Sequence, residues 1–558
     1  MPANNQPATQ PFEIGLTLTG SVSAGAYTAG VIDFLLEALD NWDQKKQQNQ
    51  AQFGADYSQW DTPWYPVVIK GLSGASGGGV TCGMILNAIG REIDPVPQPV
   101  TGNVANNDFY NAWVNGIGIE QLAQTDDLAD GSCKSILDGN TIPGIAGNIL
   151  QQSNFGNLLF RDYVAENLRA MITITNLRGI PYYLKNGGIG ANQLVYYRNA
   201  DYVKFELDRH NQPATTADVI SIPYNTADPR FTDAYSKLKA ACLATCAFPG
   251  AFPAQPVTQD SSMYFLRPNS ANLALSPGQP YSFLNSDGGI CNTNPFELLH
   301  ADMLPPDETQ NPRGGADVKR SIIIIAPLDT NMTVDSYDAT QNSLPTILAQ
   351  VVGAIRNEAE FTDEQIALAL DDSVLSRFII APVRYDPSGT QVQTPAITGT
   401  TLGNFGAFLS QDFRQHDFFL GRMNAQLFLK RHFAIPYLEI IQNPIFIPVD
   451  IANNRDKFQN QLFTDPDSNI EYFSIIPLEG SASADLYNPP WPTGQYDINQ
   501  IQQELSTRLD AFITNAVNIL AGNWFVRTIL WPVKAIVQTQ LVNYLVKTIS
   551  NGLSNAKL

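Results

Sequence analysis

Near the amino terminus, a pattern of apolar residues typical of a strand is followed by one typical of a helix, and this succession occurs twice. Residues 13–19 alternate between apolar and other side chains and are rich in β-formers, which predicts a strand. From Ala26 onward the apolar residues recur with helical spacing. Residues 65–73 then predict a second strand and residues 80–89 a second helix. Strand, glycine-rich turn and helix in that order are typical of an α/β domain.

Further along the chain, short apolar runs extend this pattern. Six of them predict strands or crossings, at 170–175, 193–197, 251–256, 321–327, 378–382 and 473–477. The Gln/Asn-rich stretch at 44–52 is interpreted as an exposed loop. Residues 94–153 are rich in Gly, Asn, Asp and Pro, which predicts an insertion of short helices and loops.

These elements suggest a division of the chain into four parts. We expect a polar tail at 1–12, an α/β domain at 13–330 that contains the insertion, a further α/β segment at 331–450 packed on it, and a C-terminal region at 451–558.

The last helix of the chain has two possible roles. After Asp510 there is no acidic residue, and four basic residues follow. Apolar residues between 533 and 549 share one stripe, with Trp524 and Trp531 nearby. Such a basic amphipathic helix either docks on the protein's own core, as surface helices do, or rests on a lipid surface.

Composition excludes several classes of protein. The 558 residues are 44% hydrophobic and only 15% charged, which excludes a disordered chain, and a net charge of −20 disfavours a nucleic-acid partner. Five Cys are too few for a disulfide scaffold, and four His without an HExxH motif disfavour a zinc hydrolase. We expect no metal and no cofactor. The oligomeric state stays open.

The amino terminus bears on localisation. Residues 1–15 lack a basic segment followed by an apolar one, so no signal peptide is recognisable, and no apolar run reaches 18 residues. We expect a cytoplasmic or peripheral membrane protein, and export without a cleaved signal stays open.

One serine has the setting of a nucleophile. Gly74-Ala-Ser-Gly-Gly78 is the only GxSxG in the sequence, and it lies between a predicted strand and a predicted helix. A serine on such a sharp turn projects its hydroxyl, and the helix N-terminus stabilises developing negative charge. Ser76 is therefore a candidate nucleophile, and an ordinary turn serine is the alternative.

A nucleophilic serine needs a base. None of the four His lies in a motif that indicates catalysis. Asp287, followed by two glycines, is the other candidate, although most Asp-Gly pairs are plain turns, as we expect for Asp138-Gly139. The backbone N–H groups of the turn at 20–25 could form an oxyanion hole, or the segment could be a simple β–α turn.

Taken in order, these segments resemble the patatin-like phospholipase family. The resemblance is carried by the loop ending in Gly25-Ala-Tyr-Thr-Ala-Gly30, by residues 74–78, by Cys246-Ala-Phe-Pro-Gly-Ala-Phe-Pro253 and by Asp287-Gly-Gly-Ile-Cys-Asn-Thr-Asn-Pro295. It covers about residues 13–330. Residues 413–425 are similar to a segment of longer bacterial patatin-like proteins.

The resemblance implies a three-layer α/β/α fold with a mostly parallel central sheet and a C-terminal helical extension. It also implies a Ser–Asp dyad without a catalytic His, acting on lipid esters through an acyl-enzyme. Ser76 would be the nucleophile between the elbow glycines Gly74 and Gly78, and Asp287 the base. The backbone of Gly20, Ser21 and Val22 would hold the oxyanion.

One loop departs from the family pattern. The usual G-G-G-x-[Arg or Lys]-G is here Gly20-Ser-Val-Ser-Ala-Gly25, so Ala24 replaces the basic residue, and Val22 would be strained if its position needs a positive φ. A catalytically impaired lipid-binding or scaffold protein is therefore the alternative to an acyl hydrolase.

Two further interpretations concern the binding of a nucleotide and of an acyl chain. Nucleotide binding at 71–77 is disfavoured, because no Lys-Ser/Thr completes a P-loop there. Phe109, Tyr110 and Trp113 in the insertion could line an acyl channel, although ordinary core positions are the favoured interpretation.

Overall fold

The computed structural model describes residues 10–100, 104–150, 159–185, 193–209, 216, 218–267, 270–328, 344–362, 365, 368, 371, 373–520 and 524–558. Most of the expected tail at 1–12 and the expected boundary at 330 lie outside these residues. The same holds for the end of the insertion at 151–153 and for the side chains of Trp524, Trp531 and Val533.

A mixed sheet with helices on both faces organises the described part of the chain. Its strands are β1 (Phe12–Ser21), β2 (Val67–Ser76), β3 (Val164–Lys185), β4 (Gln193–Asp208), β5 (Ile220–Pro223), β6 (Gln255–Asp260), β7 (Pro280–Ser286), β8 (Arg320–Ile325) and β9 (Arg377–Ile380). Two small sheets contain β10 (Arg384–Tyr385), β11 (Val392–Gln393), β12 (Ala434–Pro436), β13 (Leu462–Thr464) and β14 (Glu471–Ser474).

The order of strands brings three carboxyl ends to one edge. The strands lie in the order β5-β4-β3-β2-β1-β8-β9, and the β6–β7 hairpin joins β3 through β7. Neighbours along this order are parallel except β3 and β4, so β1, β2 and β3 end on the same side. The segment at 20–25 and Ser76 therefore meet at one edge of the sheet.

The α-helices in chain order are α1 (Gly25–Phe53), α2 (Gly77–Ala88), α3 (Asp108–Tyr110), α4 (Ile119–Leu122), α5 (Thr141–Ile149), α6 (Phe231–Thr245), α7 (Ser262–Phe265), α8 (Phe296–Met303), α9 (Leu344–Glu358), α10 (Gln411–Arg431), α11 (Tyr437–Ile440), α12 (Pro448–Asn453), α13 (Ile498–Leu520) and α14 (Trp524–Ala556). A π-helical turn, Asn111–Gly116, follows α3.

Alternation along the central strands separates two apolar layers. Ile323 and Ile325 of β8 belong to the large core cluster shared with α1, α2, α6 and α10. Ile322 and Ile324 belong to a smaller cluster with α8 on the opposite face. Because successive strand side chains point to opposite faces, one isoleucine run serves both layers. This arrangement confirms the expected three-layer α/β/α architecture with a mostly parallel sheet.

The predicted exposed loop at 44–52 is wrong, because α1 continues to Phe53. Gln, Lys and Ala are good helix formers, and no glycine or proline occurs between Gln44 and Gly54, which ends the helix with φ 59°. The predicted strand at 251–256 is also wrong in its first part, because residues 251–254 lie in a turn and an irregular segment before β6. Gly250 has φ 79°, and Pro253 has no N–H to donate to a ladder.

The long helix α10 packs directly against α1. A Cβ added at Gly30 would meet the Phe418 carbonyl, and one added at Gly421 would meet the Tyr27 carbonyl, so the two backbones approach closely. The Arg422 guanidinium also forms ion pairs with Asp33 of α1. This contact fixes the chain after residue 380 to the helix that begins at the site.

The C-terminal end of α14 docks on the protein. Leu553 and Leu558 are buried in a cluster with Phe413, and the Trp491 indole N–H donates to the Ala556 carbonyl at 3.0 Å. Of the two roles considered for the last helix, the structure shows docking on the protein's own core at the C-terminal end of α14. Among the described helices, none combines the length and apolar character needed to cross a membrane.

Candidate active site

Ser76 lies on a sharp turn between β2 and α2. Its backbone has φ 52° and ψ −128°, a conformation that costs energy for any residue with a side chain, and its side chain is buried. A Cβ added at Gly78 would press against the Leu18 carbonyl oxygen of β1. Only glycine lets α2 begin so close to the neighbouring strand, and this tight turn directs the Ser76 hydroxyl out of the sheet.

The structure brings the hydroxyl of Ser76 and the carboxylate of Asp287 together. Ser76 Oγ donates to Asp287 Oδ2 at 2.6 Å, across 211 positions of sequence. Asp287 is only 3% exposed, and its Oδ1 accepts from the Gly289 N–H at 2.7 Å. Its backbone is also held, because the N–H donates to the Ala247 carbonyl and the carbonyl accepts from the Thr175 hydroxyl. The carboxylate is therefore fixed before any substrate arrives.

A threonine that sequence reasoning missed holds the turn. The backbone N–H of Ser76 donates to Thr245 Oγ1 at 2.8 Å, and Thr245 is fully buried at the end of α6. Thr245 directly precedes the Cys246–Pro253 segment that carries part of the family resemblance. That adjacency is the one sequence signal that points to it.

The segment at 20–25 lies beside Ser76 without the strain expected at Val22. Val22 is not among the non-glycine residues with positive φ in the described part of the chain. The Gly20 N–H donates to the Thr293 carbonyl at 2.9 Å, whereas Ser21 and Val22 line the cavity above Ser76.

Residues 398–407 support this segment from outside. Ser23 Oγ donates to the Asn404 carbonyl at 2.8 Å and accepts from the Ala407 N–H at 3.1 Å, while the Ser23 N–H donates to the same Asn404 carbonyl at 2.9 Å. We call residues 398–407 the brace. The brace is anchored on α10, because the Asp417 carboxylate accepts from the N–H groups of Thr398 and Gly399.

The brace packs closely against Ala24, the position where the pattern of the resembled family has Arg or Lys. A Cβ added at Gly399 would lie 2.6 Å from the Ala24 Cα and 2.8 Å from its Cβ. The brace therefore occupies the space into which an Arg or Lys at position 24 would extend. Backbone groups of the brace also contact Ser23 in the same segment.

An apolar cavity opens above the Ser76 hydroxyl. Its walls come from the ends of β1 and β2, from the insertion, from the segment after α6 and from Phe408, which follows the brace. They are formed by Ser21, Val22, Ser76, Gly77, Val80, Ala112, Trp113, Ile117, Ile142, Ile145, Cys246, Phe248, Phe252, Asp287 and Phe408. Of the described histidines, His300, His416 and His432, none lines it.

The aromatic residues of the insertion divide between core and cavity. Phe109 and Tyr110 are buried in the main core, as the favoured interpretation expects, whereas Trp113 also forms part of the cavity wall. Asp138 accepts from the Thr141 hydroxyl at 2.7 Å, which fits a structural role in its turn.

The pKa of the Cys246 thiol, which lines the cavity, is affected by its surroundings. Burial, and after it the negative charge of Asp287, raise the pKa of Cys246 well above its usual value. The thiol therefore stays protonated at neutral pH, which leaves the Ser76 hydroxyl as the nucleophilic group adjacent to a base.

Family models match two parts of this chain. The family model described as "Patatin-like phospholipase" matches residues 66–300, and one described as "Protein of unknown function (DUF3376)" matches residues 381–429. The second match covers the brace and nearly all of α10, and it is typical of long bacterial patatin-like proteins.

Two individual proteins are similar to this chain. The "Uncharacterized protein y4iI" of Sinorhizobium fredii (strain NBRC 101917 / NGR234) is 30% identical over 523 residues, which cover 86% of this chain and 72% of the relative. The crystal structure of VipD from Legionella pneumophila is 12% identical and covers 99% of this chain and 89% of its own, but its TM-score of 0.21 is too low to support any argument.

The expected family and fold are both confirmed by these findings. The match at 66–300 contains both Ser76 and Asp287, and the identity to a long relative extends over most of the chain. This chain belongs to the patatin-like phospholipase family.

Proposed function

We propose that the protein is a serine-dependent lipid acyl hydrolase that works through a Ser76–Asp287 dyad and an acyl-enzyme. The family supports a lipid hydrolase in general terms. The observation that carries the finer proposal is the 2.6 Å hydrogen bond from Ser76 Oγ to Asp287 Oδ2 at the floor of an apolar cavity.

The dyad can perform both halves of an ester hydrolysis. Ser76 Oγ attacks the ester carbonyl while Asp287 takes its proton, and the tetrahedral intermediate expels the alcohol, which receives that proton. Water then attacks the acyl-enzyme with Asp287 again as the base. The acyl–oxygen bond to Ser76 breaks, the fatty acid leaves, and the serine hydroxyl is restored. The fixed carboxylate suits this work because it needs no reorganisation between the two steps.

The oxyanion site of this proposal uses the backbone at Ser21 and Val22. Both residues line the cavity next to Ser76, whereas the Gly20 N–H is engaged with the Thr293 carbonyl. The N-terminus of α2 begins at Gly77, directly beside the attacked carbon, and its dipole favours negative charge there.

The cavity walls favour an acyl chain as the group bound inside. Apart from Asp287, the lining residues carry no charged side chain, and most are aliphatic or aromatic. Burying a methylene in such a site gains about 0.8 kcal/mol. We propose lipid esters such as phospholipids or acylglycerols as substrates, with the head group outside the cavity.

The division of the chain is part of the same proposal. We assign the reacting groups to the domain at 13–330, with the segment at 331–450 completing the site. Support comes from Phe408, which lines the cavity, and from the brace, which contacts Ser23. Peripheral membrane contact through the C-terminal helix, and a cytoplasmic or peripheral location, stay predictions.

Turnover of p-nitrophenyl esters and of phospholipid tests the function. We expect activity in the wild type and its loss, by at least about a hundredfold, in Ser76→Ala and in Asp287→Asn. Asp138→Asn is a matched control, because Asp138 is also a buried Asp before a glycine and lies in a turn of the insertion. Equal activity in Asp287→Asn and Asp138→Asn would refute the dyad, and a folded wild type without turnover would favour the scaffold alternative.

A further inference from the structure

The β3–β4 hairpin extends beyond the sheet on the side of the active site. β3 runs parallel to β2, and it pairs with β7 at Thr175 and Asn176 next to Asp287. It then continues to Lys185, and β4 returns beside it from Gln193. We call strand residues 180–185 and 193–198 the ribbon. Its length from Ile180 to Lys185 is about 17 Å at ~3.4 Å per residue.

The ribbon exposes apolar side chains on both of its faces. Leu184 pairs with Leu194 on one face, and Tyr183 pairs with Val195 on the other. Leu194, Tyr196 and Tyr197 are 57%, 54% and 56% exposed. Large apolar residues exposed next to one another in this way indicate an interaction surface.

We propose that the ribbon is a membrane-docking element that enters the headgroup region of an anionic lipid surface and brings the cavity to it. A folded protein partner would cover one face of a two-stranded ribbon, whereas a lipid interface surrounds both faces at once. The apolar character of both faces therefore favours lipid as the occupant.

Charge complementarity points to anionic lipid. Between 176 and 199 the sequence holds Arg178, Lys185 and Arg198 and no acidic residue, in a chain of net charge −20. Arg178 and Arg198 are exposed at the base of the ribbon. In this position they would lie level with the phosphates when the apolar side chains are in the interface.

The backbone limits the depth of insertion. β5 pairs with β4 only from Phe205 to Asp208, so no strand of the described chain pairs with the outer edge of β4 at 194–198. Unpaired backbone groups are not tolerated in the hydrocarbon core, but water and headgroups satisfy them at the interface. Tyrosine is the residue that prefers this level, and Tyr183, Tyr196 and Tyr197 supply it.

This inference deepens the proposed function by naming the physical state of the substrate, but binding can be measured without turnover. Co-sedimentation with phosphatidylcholine vesicles, with and without phosphatidylserine, is carried out on the full chain carrying Ser76→Ala. Vesicle binding by this variant is independent of catalysis. Failure of the dyad and failure of the docking proposal therefore give different results.

The test variant changes one residue on each face, Leu194→Ser with Tyr197→Ser. The control, Leu438→Ser with Tyr487→Ser, removes an exposed leucine and an exposed tyrosine outside the ribbon. We expect the ribbon variant to weaken binding to phosphatidylserine vesicles by about tenfold or more and the control by less than about twofold. In chains with Ser76 intact, turnover of a soluble ester should be unchanged, which shows that both variants fold.

A separate variant tests the charge. Arg198→Gln should reduce the preference for phosphatidylserine vesicles by roughly fivefold. Wild-type binding by the ribbon variant, or no vesicle binding by the parent chain, would overturn the proposal. A parent dimer that becomes a monomer in the ribbon variant, without vesicle binding, would assign the ribbon to a second copy instead.

Discussion

Replacing Ser23 by alanine tests whether the brace positions the segment beside Ser76. The Ser23 side chain is fully buried, and its hydroxyl donates to the Asn404 carbonyl and accepts from the Ala407 N–H. Ser23→Ala leaves these two backbone groups without that partner. The Asn404 carbonyl keeps the Ser23 N–H as a donor, so the Ala407 N–H is the group that loses its partner. A buried polar group without a partner costs about 1–3 kcal/mol, and we expect the free energy of unfolding to fall by that amount.

We expect Ser23→Ala to raise the activation free energy of catalysis by less than the largest expected loss of unfolding free energy. The Ser23 N–H still donates to the Asn404 carbonyl at 2.9 Å, so the segment keeps one connection to the brace. If about 1.4 kcal/mol of the loss appears as misplacement of Ser21 and Val22, kcat falls about tenfold. KM should change little, because the cavity walls that hold the acyl chain stay in place.

Steady-state turnover of a soluble p-nitrophenyl ester and urea unfolding measure the two effects. Ser474→Ala is the control, since its buried hydroxyl donates to the Lys430 carbonyl at 3.0 Å and it does not line the cavity. That variant should lose stability and keep kcat. If Ser23→Ala is destabilised and its kcat stays within about twofold of wild type, the positioning role of the brace is refuted.

Three further predictions concern the turn, the cavity and the thiol. Thr245→Val leaves the Ser76 N–H without its 2.8 Å acceptor, so kcat for a soluble ester should fall about tenfold or more; an unchanged kcat would contradict its role. Ile145→Trp places an indole in the cavity and should lower kcat/KM for long-chain relative to short-chain esters by about tenfold, whereas Ile136→Trp, outside the cavity wall, should leave the ratio unchanged. Because the pKa of Cys246 is raised, its thiolate forms only at higher pH, and mass spectrometry should find slow iodoacetamide labelling through the usual thiol range near about 8.5; a labelling midpoint in that range would contradict the raised pKa.

The local parts of the site can be predicted from the sequence. The turn at Ser76 follows from a glycine-flanked serine between an apolar strand and a helix, because the flanking glycines permit the close backbone approach there. The two glycines after Asp287 make it a candidate base, and the family resemblance gives it that role. The strands at 321–325 and 378–380 follow from their apolar runs, since a buried strand needs little beyond such a run.

The parts that could not be predicted depend on contacts distant in sequence. The hydroxyls of Thr245 and Ser23 act on partners 169 and 381 positions away, and no local signal specifies such pairs. The backbone of Gly399 packs against Ala24 and leaves no room for a Cβ on residue 399. Only the folded chain brings these two residues together. The extension of α1 through 44–52 could have been predicted. Its Gln/Asn-rich composition suggested a loop, but the helix propensity of its residues and the absence of glycine and proline there indicate a helix.

Mass spectrometry of a fluorophosphonate-treated sample tests the proposed chemistry most directly. The reagent forms a covalent adduct with a serine hydroxyl that a neighbouring base activates. We expect one adduct per chain, on the peptide that contains Ser76, and much slower labelling in Asp287→Asn than in Asp138→Asn. A folded chain that stays unlabelled, or one labelled at another serine while Ser76 is unmodified, would contradict the assignment of Ser76 and Asp287 as the reacting pair.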